Sequence, residues 1–295
     1  PKRNKYVILG VTGPNEYENN VNNNWYTNRI AVWTLEYTLE VIEYLENNFP
    51  DIMDGLRDRL EIKSEEFSKW KDIIKNMYYP VDEKRGIFLQ QDNYLDKEQI
   101  LVKQLDDRDL PLNQNWSWDR ILRSCFIKQA DVLQGLYFLE DKYDIETIKK
   151  NYCFYEPRTV HESSLSPCIH AVLAAKIGDF EKAYQMYLRT SRLDLDNYNN
   201  DTEDGCHITS MAGTWMSVVQ GFGGLRVIDN CLILNPFLPE QWEYYSFKVL
   251  FRGVLLKIYV DKNEVRVYNQ GDKSITIKIY GENYELSAKS DMARG

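Results

Sequence analysis

The chain has 295 residues, 27% charged and 13% aromatic, with 36 basic against 45 acidic side chains and a net charge of −9. That balance argues against nucleic-acid phosphates or an anionic membrane surface as the main partner, and no run of about 18 apolar residues is present to span a bilayer. The length allows one large domain, or a medium one plus a small one, with a sizeable core.

The first residues, Pro1-Lys2-Arg3-Asn4-Lys5, are basic, but the Tyr6–Leu9 run after them is far shorter than a signal peptide needs. With no initiator Met and a strand-like opening, the chain is expected to be part of something longer. Cys125, Cys153, Cys168, Cys206 and Cys231 are widely spaced and never form C-x-x-C. They fit free thiols in a reducing cytoplasm better than disulfides or zinc.

The first distinctive stretch is Gly10-Val11-Thr12-Gly13-Pro14-Asn15-Glu16-Tyr17-Glu18-Asn19-Asn20. A short apolar run leads into a Gly-Pro turn, and two carboxylates then stand among amides and aromatics. Six asparagines fall between residues 15 and 24, and Trp25-Tyr26 closes the set. Amides exchange hydrogen bonds with hydroxyls in both directions, and aromatic faces stack on the C–H faces of sugars, so the mixture suits a carbohydrate pocket. A carboxyl held against Tyr and Trp is expected to have its pKa raised by desolvation, as a general acid requires. The same residues suit a helix-capping loop equally well.

From about Thr27 to Gly224 the apolar period is helical. Ile30, Trp33, Tyr37 and Val41 form a stripe with Ala31, Leu35 and Ile42 on its adjoining side. A stripe that wide predicts a helix contacted from more than one direction. Pro50-Asp51 ends it, and Leu56 to Lys75 reads as a second, more polar helix. Tyr79 to Asn115 carries no sustained period and is expected to be partly structured or a functional loop. Helical spacing resumes after Asp119 through Phe126, Ala130, Leu133 and Tyr137. That places Lys128-Gln129 in mid-helix, where a solvated lysine is the default. Further helices are expected at about 145–152, 166–177, 179–191 and 209–220, with Gly178 ending one and Asp179 capping the next. Short connections alternate with longer loops, the rhythm of paired helices in a bundle or toroid.

Two of the longer loops could hold an anion. In His161-Glu162-Ser163-Ser164-Leu165-Ser166, two hydroxyls in series precede a helix and could present themselves with backbone N–H groups. Ser163 or Ser164 as a plain N-cap is the alternative, and the spacing favours it. In His207-Ile208-Thr209-Ser210-Met211-Ala212-Gly213, small and hydroxyl residues follow a histidine at a helix start. Cys206-His207 is not a metal site, because no second Cys/His cluster is spaced to complete four ligands.

After Gly223-Gly224 the period changes to two. Val265 and Val267, then Ile275, Ile277 and Ile279, alternate with polar residues, with turn signals at 261–263 and 270–272. Residues from about 225 onward predict an antiparallel sheet domain packed on the helical part, with a polar, frayed tail from Ser287.

Four motifs in this order and approximate spacing, Val11-Thr12-Gly13-Pro14-Asn15-Glu16-Tyr17, Lys128-Gln129-Ala130-Asp131-Val132, His161-Glu162-Ser163-Ser164-Leu165-Ser166 and His207–Gly213, resemble glycoside hydrolase family 65. The resemblance covers nearly the whole chain. It implies a mainly α protein: residues 1–224 as the later half of an (α/α)6-barrel catalytic domain, and 225–295 as a small C-terminal β-domain. The N-terminal sandwich and first barrel helices of such a protein are not in this sequence.

The resemblance also implies inverting phosphorolysis of an α-linked disaccharide. The Asn-rich segment and Asn113–Arg120 look most like the members that act on maltose. Glu16 is then the general acid. Lys128 and Gln129 bind the sugar. Ser163, Ser164 and His207, with the backbone near Ala212 and Gly213, hold phosphate. Inorganic phosphate is a substrate, and no metal or organic cofactor is implied. A cytoplasmic homodimer without nucleic-acid or membrane partners is expected. Trehalose or kojibiose phosphorolysis stays open, as does a glucoamylase-like hydrolase using Glu162 as second carboxylate. A non-catalytic carbohydrate-binding fragment stays open too.

Overall fold

The computed structural model describes residues 4–295. Its first long element, α1 (Trp25–Asn48), starts where the Asn24 side chain accepts from the Thr27 N–H at 2.9 Å. It stops ahead of Pro50, which opens α2 (Pro50–Leu60) in the first-turn position that proline tolerates. The single polar helix expected over 56–75 is two elements. Glu61 turns left-handed (φ 52°) and closes α2, and α3 (Ser64–Asn76) restarts with the Glu66 side chain accepting from the Lys63 N–H at 3.0 Å. Helical periodicity on both sides hid a break that capping chemistry makes. α1 packs against more than one helix, as its broad stripe predicts, but the stripe is only partly covered. Trp25 and Val32 are buried, whereas Trp33 and Tyr37 stack on each other at 5.4 Å and stay exposed.

The aperiodic stretch holds a short hairpin, β1 (Val81–Asp82) with β2 (Ile87–Phe88), three 3₁₀ turns, and one α-helical turn, α4 (Leu112–Asn115). Next come α5 (Trp118–Arg123), an extended run, and α6 (Val132–Phe138). The continuous helix expected through Phe126 and Lys128 is therefore absent. Its backbone groups are claimed by a neighbouring extended segment, the Ile127 N–H donating to the Arg158 carbonyl and the Val160 N–H to the Ile127 carbonyl. The apolar spacing of Phe126, Ala130 and Leu133 imitates a helix only because this segment is buried all round.

The remaining helices are α7 (Ile145–Tyr155), α8 (Ser166–Lys176), α9 (Phe180–Ser191), α10 (Leu193–Asp196) and α11 (Ile208–Met216), which widens into a π-helical turn over Ser217–Phe222. Asp179 caps α9 as expected, accepting from the Lys182 N–H at 3.1 Å. Every residue of α8 from Ser166 to Ala174 is buried, as its near-continuous apolar sequence requires. It is the post around which α6, α9 and α11 pack.

Beyond residue 225 two four-stranded sheets form. One runs β10 (Asp291–Arg294), β7 (Val265–Asn269), β6 (Val254–Asp261), β5 (Tyr244–Phe251), antiparallel throughout. The other runs β3 (Arg226–Ile228), β4 (Cys231–Leu234), β8 (Ile275–Ile279), β9 (Glu282–Leu286), and its β4–β8 pair is parallel. The wholly antiparallel expectation misses that pair because the chain leaves this sheet after β4, builds β5 to β7 elsewhere, and returns. The tail is not frayed. Buried Asn269 donates to the Lys273 and Ser287 carbonyls at 2.8 and 2.9 Å, and β10 then pairs with β7.

Alternation in β6 buries Val254, Leu256, Ile258 and Val260. These join one apolar core that is continuous with Leu133, Ile169 and Leu173 of the helices. At the junction the Tyr245 hydroxyl donates to the Phe222 carbonyl at 2.8 Å, and Phe180 stacks on Phe237 at 4.2 Å.

Candidate active site

Glu16 sits at the tip of a loop anchored by its neighbours. Asn15 is fully buried, and its Oδ1 accepts from the Lys128 N–H at 2.9 Å. The Asn15 N–H donates to Asp131 Oδ2 at 3.0 Å, and Asn24 Nδ2 donates to the same carboxylate at 3.0 Å. Most of the amide-rich loop is thus structural. Asn23 and Asn24 are buried, and Trp25 is stacked on Phe88 at 4.6 Å, not presented to a sugar. The aromatic that stays open is Trp118, edge-on to Tyr17 at 6.2 Å and exposed.

The expected burial of Glu16 is also not found. Its side chain is 57% exposed, and Oε2 receives the Lys128 ammonium at 2.6 Å. Burial falls instead on Glu18, whose carboxyl is pushed up by desolvation while the Lys97 ion pair pulls it back.

Lys128 and Gln129 lie on the extended run, not on a helix. The Gln129 side-chain amide donates to the Pro14 carbonyl at 2.7 Å, and the Lys128 carbonyl accepts from the Glu162 N–H at 3.1 Å. The pairing of residues 127–128 with 159–162 therefore ties the Glu16 tip to the His161–Ser166 loop. Glu162 itself is buried. It accepts from the Tyr17 hydroxyl, from the Leu112 N–H at 2.6 Å and from the Asn113 N–H at 3.4 Å. Desolvation raises its pKa, and those three donors oppose the rise.

Neither serine caps α8 from its side chain. Ser163 Oγ accepts from the Leu165 N–H at 3.2 Å, one residue ahead of the helix, and Ser164 Oγ meets Thr209 Oγ1 of α11. The cap reading fails because both hydroxyls are turned to other partners. That Ser164–Thr209 contact joins the two candidate anion loops.

His207 stands at the head of α11. Ala212 and Gly213 do not contribute N–H groups there, contrary to expectation. They lie past the first turn, where N–H groups bond back along the helix. Gly213 is small because α11 crosses α8 closely, a Cβ there falling 2.7 Å from that of Cys168. Ser210 and Met211 already donate to the His207 carbonyl, so the N–H groups left at the helix start are those of Ile208 and Thr209.

A cavity of about 480 Å³ runs along the 159–162 segment, lined among others by Pro111, Glu156, Lys182, Arg189 and Tyr198. It is lined by none of Glu16, Lys128, Ser164 or His207. Among the described residues no group of three His, Cys, Asp or Glu could hold a metal ion, and no helix is long and apolar enough to cross a membrane. Two further polar residues were missed from sequence. Asp131 anchors the Glu16 loop across a long sequence gap, and Asp194 contacts His207. No local pattern marks Asp194, and Asp131 stands in the second motif without a role of its own.

Residues 1–216 match the glycosyl hydrolase family 65 central catalytic domain, and residues 225–286 match the family's C-terminal domain. The chain is 50% identical over 290 residues to maltose phosphorylase of Bacillus subtilis (strain 168), covering 98% of this chain and 37% of the relative. It is 41% identical over 264 residues to an α,α-trehalose phosphorylase of Thermoanaerobacter brockii, covering 90% and 34%. A solved structure titled as a putative kojibiose phosphorylase from human microbiome superposes with a TM-score of 0.89 at 37% identity, covering 99% of this chain and 38% of that one. The chain therefore spans little more than a third of the length of these relatives.

Proposed function

The chain belongs to glycoside hydrolase family 65, and from that premise we propose that it carries the acid and the phosphate cradle of an inverting disaccharide phosphorylase acting on maltose. The observation that carries the reading is the meeting of the Ser163-Ser164 loop with the start of α11 through Ser164 and Thr209, on the strand that also leads to Lys128 and Glu16.

Glu16 gives its proton to the glycosidic oxygen. For that, Lys128 exchanges its carboxylate partner for sugar hydroxyls, with Gln129 beside it. As the bond from C1 to the leaving oxygen breaks, its electron pair takes up that proton. A phosphate oxygen, held by Ser163, Ser164, His207 and the N–H groups of Ile208 and Thr209, bonds to C1 from the opposite face. The products are β-glucose 1-phosphate and glucose. Phosphate is itself an anionic nucleophile, so no second carboxylate is needed.

The state of Glu162 favours this over the hydrolase. A general base must be free to take a proton from water, and this carboxylate is committed to Tyr17, Leu112 and Asn113. Maltose is preferred over trehalose on the higher identity to the maltose enzyme. A cytoplasmic homodimer belongs to the same proposal, and sedimentation checks the oligomer.

Incubation with maltose should release β-glucose 1-phosphate only when inorganic phosphate is present. Glu16→Gln should lower turnover by about 10² or more. Glucose released without phosphate would overturn the reading in favour of hydrolysis, and faster turnover of trehalose or kojibiose would overturn the choice of maltose.

A further inference from the structure

His207 is gripped twice by one carboxylate. Asp194 Oδ1 accepts from ring Nδ1–H at 2.5 Å, and Oδ2 accepts from the His207 backbone N–H at 3.0 Å. The two contacts fix both the chain at the head of α11 and the rotation of the ring. They also settle which nitrogen is spent, since Nδ1 serves Asp194 and Nε2 is left for another partner. Asp201 Oδ2 stands 3.5 Å from Nε2, at the limit of a hydrogen bond, and its other oxygen is buried without a partner.

We propose, resting on the phosphate reading above, that Asp194 is a positioning residue that holds His207 as a doubly protonated phosphate donor, and that Asp201 is the carboxylate phosphate displaces. The chemistry follows from the ring. With Nδ1–H given to Asp194, a neutral imidazole offers only a lone pair at Nε2, which repels an anion. The imidazolium offers N–H there, and a carboxylate behind the ring favours that form. The charged groups acting on the imidazole are Asp194 from α10 and Asp201 and Asp204 from the loop before α11, all acidic. Together they raise its pKa, the Asp194 bond most. Asp201 does so at the cost of occupying the side from which phosphate arrives.

The chain has three histidines. His161 and His170 are buried, and burial holds both imidazoles neutral well below the usual range. Proton NMR of the imidazole C–H signals near neutral pH therefore reports His207 alone. Its midpoint should lie above the ordinary value, and inorganic phosphate should raise it further. Asp194→Asn should lower the midpoint by about one pH unit and weaken phosphate binding about tenfold, with Asp194→Glu restoring part of both. Asp201→Asn should also lower the midpoint, but it should tighten phosphate binding severalfold. If Asp194→Asn keeps the phosphate response of His207, the positioning role is wrong while the phosphate reading stands. If phosphate leaves His207 unmoved in the unaltered protein, the phosphate reading falls and this inference with it. Weaker binding in Asp201→Asn would refute the displacement.

Discussion

Gly13 offers a sharp test of how the Glu16 loop is held. Its φ is not in the left-handed region, so a substitution there acts through space alone. A Cβ at this position would lie 2.6 Å from Asp131 Oδ2 and 2.7 Å from Asn24 Cγ, and closer still to Asn24 Nδ2, where ordinary contacts begin at 3.4 Å. Neither target can swing away. Both are buried, Asn24 caps α1 and donates to the Gln90 carbonyl, and Asp131 is held by the Asn15 N–H.

Gly13→Ala must therefore push the loop out by roughly 1 Å, stretching hydrogen bonds to a buried carboxylate that are worth about 1.5–3 kcal/mol each. Overpacking adds about 1–3 kcal/mol. Stretched bonds keep part of their energy, so a net loss of about 3–4 kcal/mol is expected in urea unfolding followed by tryptophan fluorescence. Turnover should fall by about 10², the effect of a displacement of about 1 Å at a reacting group. A stability loss under about 1 kcal/mol with unchanged turnover would refute the reasoning. It would show that the Asn24–Asp131 pair does not set the position of Glu16.

Two further expectations concern stability. Gly55 lies inside α2 with no atom near the place of a Cβ, so Gly55→Ala should raise the unfolding free energy by about 0.5–1 kcal/mol in the same assay; a loss there would show that α2 is strained. Burial lowers the His170 pKa to about 3, so the unfolded chain binds a proton near pH 6.5 that the folded chain refuses. Stability from this group is complete above the unfolded value and is lost as pH falls, about 2 kcal/mol between pH 7 and 5. His170→Phe should flatten that slope, and an identical slope in both proteins would show that His170 titrates when folded.

Motif order was enough to find the family and to mark the Glu16 loop, the lysine–glutamine pair and two candidate anion loops, and short-range periodicity was enough for α1, α7, α8, α9 and the alternating strands. Those signals are local: a cap, a period, or a run of residue types within a few positions. Wherever the deciding partner lay far along the chain, local signals misled. Residues 124–131 carry helical spacing, yet Glu98 claims the Cys125 N–H and the 158–162 segment claims the backbone of Ile127 and Lys128. Glu16 stands among aromatics in the chain but is exposed in space, while Glu18 and Glu162 are buried. The tail from Ser287 looks polar and loose until Asn269 ties it down.

What the sequence determined by itself is thus which residue types stand near one another along the chain, and with them the family, the division into helical and strand regions, and most of the candidate residues. Tertiary structure alone decided which of those side chains meet. It spent the asparagines and Glu162 on anchoring, brought Ser164 to Thr209, and placed Asp194 behind His207. Burial and hydrogen-bond geometry depend on contacts across tens of residues, and no local pattern encodes those.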